Sequence, residues 1–68
     1  MIEAVIIKVT EEKRELDEKL NSLIVFLGST PNVVEPAHLS LMEKQRDAMF
    51  DYSEILGERL KDMNNKSR

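Results

Sequence analysis

The sequence contains no cysteine and no tryptophan, and its 68 residues include one histidine, two glycines and two prolines. Disulfides and thiolate metal sites are therefore excluded, and a single imidazole cannot hold a zinc ion alone. A chain of this length forms at most one domain, which we take as residues 1–68, and it buries only a modest core. Because small scaffolds without disulfides or metals are usually stabilised by association, these absences predict a homo-oligomer.

The sequence also lacks an excess of basic residues and any long apolar run. Its net charge is −3 and 34% of its residues are charged, which predicts a solvated surface and argues against binding to DNA or RNA. No apolar run reaches the roughly 20 residues that span a bilayer, so we expect no membrane association. Residues 1–9 include Glu3 and Lys8 and precede no small-residue cleavage site, so they do not read as a signal peptide. The absence of cysteine fits a cytoplasmic location.

Signatures of catalysis are missing as well. The sequence contains no nucleophile elbow, no glycine-rich phosphate loop and no H-E-x-x-H zinc motif. His38 would need a nucleophile or a positioned water beside it to act as a general base. Two helices form no cleft of their own in which a pair of carboxylates could work. We therefore predict that the protein is not an enzyme and uses no metal or cofactor.

Apolar residues recur at helical spacing in the second half of the chain. Four of them follow one another every seven residues: Met42, Met49, Leu56 and Met63. Others flank or widen that line: Leu39, Leu41, Ala48, Tyr52, Ile55 and Leu60. On a helix this spacing produces one broad apolar face, which needs a partner. We predict a helix over about residues 36–63.

The first half of the chain offers that partner. Alternating steps of four and three residues connect Ile2, Ile6, Val9, Lys13, Leu16, Leu20, Leu23 and Leu27. This is heptad spacing with one polar break, and it predicts a helix over about residues 2–27. The β-branched residues within 1–9 favour a strand locally, but the sequence contains no second strand to pair with them. The fold class is therefore all-α, a two-helix antiparallel hairpin that assembles into an oligomeric helical bundle.

The ends of the two helices carry their own signals. Gly28 is expected to stop the first helix as a residue of positive φ, which leaves a loop over residues 28–35. Pro36 suits the first position of the second helix, although Ser40 and Glu43 spell a capping box that would start it four residues later. Gly57 is either a neutral weak spot in that helix or a point of close approach. Residues 64–68 are expected to form a frayed tail.

Polar residues interrupt or border the apolar lines. They are Lys13 on the first helix and Gln45, Arg46, Ser53 and Arg59 on the second, with Tyr52 between them. One interpretation is that they set the register and the oligomeric state, as polar seam residues do in coiled coils. The other is that they line a pocket between subunits, where Arg and Lys hold phosphate and Tyr stacks on a base.

The two helical segments resemble a family of small phage proteins first noted in crAss-like phages. The similarity lies in residues 12–20 (EKRELDEKL) with Leu23, Phe26 and Leu27, and in residues 41–49 (LMEKQRDAM) and 52–60 (YSEILGERL). The arrangement is similar, more distantly, to the phage anti-CBASS sponges, which are small helical oligomers that sequester cyclic nucleotide signals. The chain lacks a clear copy of the segment that precedes the second helix in those sponges, so no binding residue is carried over from them.

The resemblance implies an oligomeric phage accessory protein in the cytoplasm of an infected bacterium. It further implies that the protein binds a cyclic nucleotide immune signal between subunits without turning it over. The residues assigned to contacts with phosphate and base are Lys13, Arg14, Arg46, Tyr52 and Arg59. An alternative function is an oligomeric helical adaptor that binds and inhibits a host protein. The alternative predicts an exposed apolar patch that remains after self-association.

Overall fold

A computed structural model describes residues 2–29 and 31–66, with side chains described over 3–29 and 32–66. It contains helix α1 (Ile2–Ser29), a short 3₁₀ turn (Pro31–Val33) and helix α2 (Pro36–Lys66). The two helices pack against each other, which confirms the predicted all-α hairpin. The hairpin is a rod with Cα extents of 50 × 15 × 14 Å. None of its described helices is long and apolar enough to cross a membrane.

The heptad line of α1 faces α2. Val9 and Leu20 are buried, and the other members of the line from Ile6 to Leu27 are at least half-buried. The side chain of Ile2 lies outside the described residues. The β-branched start of α1 is helical because packing against α2 outweighs the local preference for a strand.

The inward line of α2 has the same spacing. Its members are Leu39, Met42, Arg46, Met49, Ser53, Leu56, Leu60 and Met63, of which Ser53 and Leu56 are buried and the rest are half-buried. The predicted methionine line therefore does face the partner helix. Four residues that were expected to flank or widen the same face do not reach α1 and are exposed: Leu41, Ala48, Tyr52 and Ile55.

The ends of the helices differ in part from the prediction. Pro36 is the first residue of α2, and the carbonyl of the preceding Glu35 accepts the amide of Leu39 at 2.8 Å, as an N-cap carbonyl does. The expectation for Gly28 was wrong, since α1 continues through it to Ser29 and no described glycine has a positive φ. The Ser29 hydroxyl donates to the Val25 carbonyl at 2.7 Å and so closes the last turn.

The expected frayed tail is also corrected over its described part. Helix α2 continues through residues 64–66 and ends at Lys66, whose ammonium lies 3.1 Å from Asp62. This pair joins residues one turn apart and places a cation in the last turn, where the helix dipole favours it. Ser67 and Arg68 lie outside the described residues.

Candidate functional site

Lys13, a predicted ligand residue, lies in a polar cluster between the two helices. Its ammonium donates to Asp17 at 2.8 Å on its own helix and to Ser53 at 3.0 Å on α2. The Ser53 hydroxyl in turn donates to the other carboxylate oxygen of Asp17. These three residues, which we call the polar cluster, satisfy one another, and no buried side-chain nitrogen or oxygen in the described part of the chain lacks a hydrogen-bond partner. Lys13 therefore supports the fold in the isolated hairpin.

The charge of Asp17 follows from this geometry. Its hydrogen bond from Lys13, assisted by the one from Ser53, lowers the pKa of the Asp17 carboxyl below its usual value, because both contacts favour the ionised form. The polar cluster thus holds an ionised acid beside the Lys13 ammonium. A phosphate that bound Lys13 would have to displace or approach this carboxylate, which opposes a second anion.

Gly57 lies against the same cluster. A Cβ built on it would come within 3.4 Å of the Lys13 Cε, which is the outer limit of a tight contact. The nearest atom is the far end of a flexible side chain at van der Waals distance, so of the two interpretations of this glycine the geometry supports a weak spot in the helix and not close approach of the α1 backbone. The aliphatic part of Lys13 packs over the bare backbone of α2, while its ammonium reaches Ser53 and Asp17.

Arg14 is occupied on the outside of α1. Its guanidinium donates to Glu11 and, at 2.6 Å, to Glu18, one turn before and one turn after it. The hydrogen bond and charge of Glu11, with the charge of Glu18, raise the pKa of Arg14, and the same contact lowers the pKa of the Glu11 carboxyl. This exposed ladder leaves Arg14 with two carboxylate partners in the single chain.

Arg46 takes a position in the inward line of α2, level with Leu23 in the antiparallel pairing. Its side chain is 38% exposed, and its Nε donates to the neighbouring Asp47 at 3.0 Å. Such a side chain covers apolar surface with its stem and keeps its charged end at the water. Its guanidinium is therefore accessible at the edge of the interface between the helices.

Tyr52 and Arg59 lie together on the outside of α2. Tyr52 and Arg59 belong to a set of residues spaced alternately by four and three, in which each member precedes a residue of the inward line by one position. We call this set the outer stripe: Leu41, Gln45, Ala48, Tyr52, Ile55 and Arg59. Tyr52 is 43% exposed, and among the described residues Arg59 forms no ion pair. These two side chains are the most available of the five candidates.

The five candidate residues do not meet in one hairpin. Arg14 follows the inward Lys13 by one residue, whereas Tyr52 precedes the inward Ser53 by one. Because the helices are antiparallel, these two steps turn toward opposite faces of the hairpin. The described residues enclose no pocket and contain no group of three or more metal-binding side chains. A site that uses all the candidates would need more than one copy of the chain.

Sequence reasoning missed the part that Asp17 plays. It placed Lys13 in the apolar line of the first helix and Ser53 beside the apolar line of the second. It did not connect the two helices. The signal that could have done so is the presence of polar residues in both inward lines, Lys13 on α1 and Ser53 on α2, because buried polar groups need partners.

The fold and the surface place the protein in the class of small helical hairpins. Polar and apolar side chains are exposed along both helices, and the described part of the chain contains no pocket. A model of the Sequestin family matches residues 3–62, which include most of both helices. The chain therefore belongs to the Sequestin family. The family name indicates sequestration, which is binding and not catalysis. No curated protein and no solved structure matches the chain.

Proposed function

We propose that this protein is a phage anti-defence protein that sequesters a cyclic nucleotide immune signal between the subunits of a homo-oligomer, in the cytoplasm of an infected bacterium, without turning the signal over. The family match over residues 3–62 is the observation that carries the proposal. Capture without turnover needs affinity and enough copies, and it needs no nucleophile, general base or metal.

The residues that we assign to the ligand divide into two groups by their availability. Tyr52 and Arg59 share an exposed face and are seven residues, or about two helical turns, apart. We assign Tyr52 to stacking on a base and Arg59 to a phosphate, which a guanidinium can bind through two parallel hydrogen bonds. Arg46 supplies a further cation at the edge of the hairpin.

Lys13 and Arg14 form the second group. Both are engaged with carboxylates in the single chain. Their contribution to phosphate binding would require those carboxylates to be displaced or shared in the assembled protein. We therefore expect substitution of Arg59 to weaken ligand binding more than substitution of Arg14.

A thermal-shift screen against cyclic dinucleotides, cyclic oligonucleotides and cyclic ADP-ribose isomers tests the proposal. A ligand present at about 100 times its Kd stabilises the folded state by about 2.7 kcal/mol. Recovery of the intact ligand after denaturing the complex separates sequestration from catalysis. An unchanged Tm with every ligand, or a chemically altered ligand after recovery, would contradict the proposal.

Matched variants locate the site. Arg59→Gln and Tyr52→Ala are expected to abolish the ligand-induced shift, and Lys61→Gln, which removes an exposed cation from another side of α2, is expected to keep it. If Lys61→Gln and Arg59→Gln reduce the shift equally, the ligand is held by general charge attraction and the assigned residues are wrong.

The outer stripe also favours a second candidate function, that of an adaptor that binds and inhibits a host protein. Leu41 and Ile55 are 59% and 54% exposed in the hairpin, and exposed apolar patches of this kind mark interaction surfaces. The adaptor function would be supported if the wild-type chain captured one host protein and showed no response to any nucleotide ligand. The Ile55→Glu variant should then fail to capture that protein.

A further inference from the structure

We propose that the outer stripe of α2 is the surface on which a second copy of this chain packs, antiparallel, about a two-fold axis that passes between Ala48 and Tyr52. The inference deepens the proposed function, and it rests on that function only for the idea that a ligand lies between copies. The packing itself is argued from the hairpin alone.

The outer stripe has the composition of a packing surface. Leu41, Tyr52 and Ile55 are each more than two-fifths exposed, and Ala48 is exposed beside them. The alternating steps of four and three residues are those that bring side chains of one helix between those of another. By contrast, three apolar side chains are buried among residues 3–29 and 32–66: Val9, Leu20 and Leu56. The single hairpin thus leaves the apolar residues of the outer stripe in water.

The direction of the outer stripe allows both contacts at once. Each of its residues precedes an inward residue by one position, which turns the stripe about 100° around the α2 axis from the seam with α1. A helix at one corner of a four-helix bundle touches two neighbours at nearly a right angle. A second copy can therefore dock on the outer stripe while the seam of the hairpin stays intact.

The outer stripe is self-complementary when a copy is laid on it antiparallel. With the axis between Ala48 and Tyr52, the tyrosine of each copy comes level with the small alanine of the other, so a base stacked on the ring would lie between the two copies. Leu41 lies beside the aliphatic stem of Arg59 of the second copy, which leaves the guanidinium at the end of the interface. A surface that matches itself in this way closes as a two-fold dimer, with every contact made twice.

Charges beside the outer stripe agree with this alignment. Lys44 of one copy comes within two residues, or about 3 Å along the helix, of the level of Glu58 of the other, so two opposite-charge pairs border the interface. Asp51 lies near its own copy across the axis, and this like-charge contact is the cost of the arrangement. It is at the rim, where water and salt screen it.

The size of the surface suits a dimer that depends on protein concentration. From Leu41 to Arg59 the outer stripe is about 27 Å long, and the hairpin is about 15 Å wide, so the stripe measures about 400 Å² in projection. This is about half of the roughly 800 Å² per partner that stable interfaces bury, which is typical of weaker association.

The mass in solution tests the proposal. Without ligand, light scattering is expected to approach twice the 7.9 kDa mass of the chain as the protein concentration is raised. Ala48→Glu places an unpaired charge at the centre of the interface and is expected to weaken dimerisation by about tenfold or more. The matched control is Phe50→Glu, on another side of α2 and 53% exposed, which is expected to remain dimeric. A monomeric wild type, or equal effects of the two variants, would overturn the proposal.

Cross-linking tests the antiparallel geometry in chains that keep their fold. The sequence has no cysteine, so single cysteines can be placed freely. A mixture of Leu41→Cys and Arg59→Cys chains is expected to form a cross-linked dimer with a short thiol-reactive reagent, and neither variant is expected to do so alone. Residues 41 and 59 are about 27 Å apart along one helix, so self-linking of either variant would show a parallel or different pairing and overturn the proposal.

The two proposals fail in different ways. A ligand-free dimer that responds to no nucleotide would support the packing proposal and contradict the proposed sequestration of cyclic nucleotides. A monomer that binds a nucleotide would contradict the packing proposal and support the proposed sequestration. A monomer whose outer stripe captures a host protein overturns the packing in favour of the adaptor.

Discussion

Replacing Leu56 with alanine is expected to lower the free energy of unfolding by about 3 kcal/mol. Leu56 has no exposed surface in the hairpin, and leucine-to-alanine changes in protein cores cost about 2–5 kcal/mol. Two helices can close partly over the cavity, which puts the value in the lower half of that range. A domain of 68 residues has a total stability of about 3–10 kcal/mol, so the loss is a large fraction of the whole.

Ile55→Ala is the matched control for this prediction. Ile55 is adjacent in sequence and 54% exposed, and alanine regains part of any loss through its higher helix propensity. At high dilution we expect Ile55→Ala to change the free energy of unfolding by less than about 1 kcal/mol. Its effect should increase with protein concentration if Ile55 packs against a second copy, because dimerisation stabilises by mass action.

Urea titration followed by circular dichroism at two protein concentrations measures both effects. In thermal unfolding, about 3 kcal/mol corresponds to a fall in Tm of about 12–24 °C for a domain of this size. If Leu56→Ala costs less than about 1 kcal/mol, or no more than Ile55→Ala at high dilution, then Leu56 does not lie in the core and the seam between α1 and α2 is wrong.

Three further predictions concern the polar cluster. Gly57→Ala should raise the free energy of unfolding by up to about 1 kcal/mol, because alanine favours the helix and its methyl reaches only the flexible Lys13 side chain, at 3.4 Å. If a urea titration shows destabilisation instead, α1 lies closer to Gly57 than described. Ser53→Ala should lower it by about 1 kcal/mol through loss of the hydrogen bonds between the helices, and an unchanged urea midpoint would refute this. Because the folded-state pKa of Asp17 is below its unfolded value, its stabilising effect is complete above about pH 4 and is lost as the pH falls through the folded pKa. The difference in the free energy of unfolding between wild type and Asp17→Asn should therefore shrink in acid. Glu54→Gln is the control at an exposed carboxylate. A difference that stays constant down to pH 3 would contradict the stabilising role of ionised Asp17.

The hairpin and its seam could be predicted from the sequence because heptad spacing fixes which residues share a side of a helix. Spacing gives relative angles only. It placed Leu41, Ala48 and Ile55 on one broad face with Met49 and Leu56, but a single partner helix covers a narrower sector than that face. Which part of a broad face is buried depends on the rotation of α2 about its axis, and that rotation is set by packing of the whole hairpin.

Other features depend on contacts that no local pattern contains. Gly28 has the signature of a helix stop, yet α1 continues past it, since the short turn at Pro31 is enough to reverse the chain. The candidate site was predictable as a list of residue types. Its distribution over opposite faces was not, because the direction of Arg14 relative to Tyr52 follows only once the two helices are known to be antiparallel and the inward residue of each is known.

The polar cluster has a consequence for how the hairpin avoids mispairing as it folds. The apolar lines of α1 and α2 both repeat every seven residues. If α1 slipped by seven residues along α2, apolar residues would still lie opposite apolar residues. The slip would move Lys13 and Asp17 about 10 Å along α2 from Ser53, and it would remove both hydrogen-bond partners of the Ser53 hydroxyl. Loss of these hydrogen bonds, with Ser53 left buried, disfavours each misaligned state relative to the native alignment.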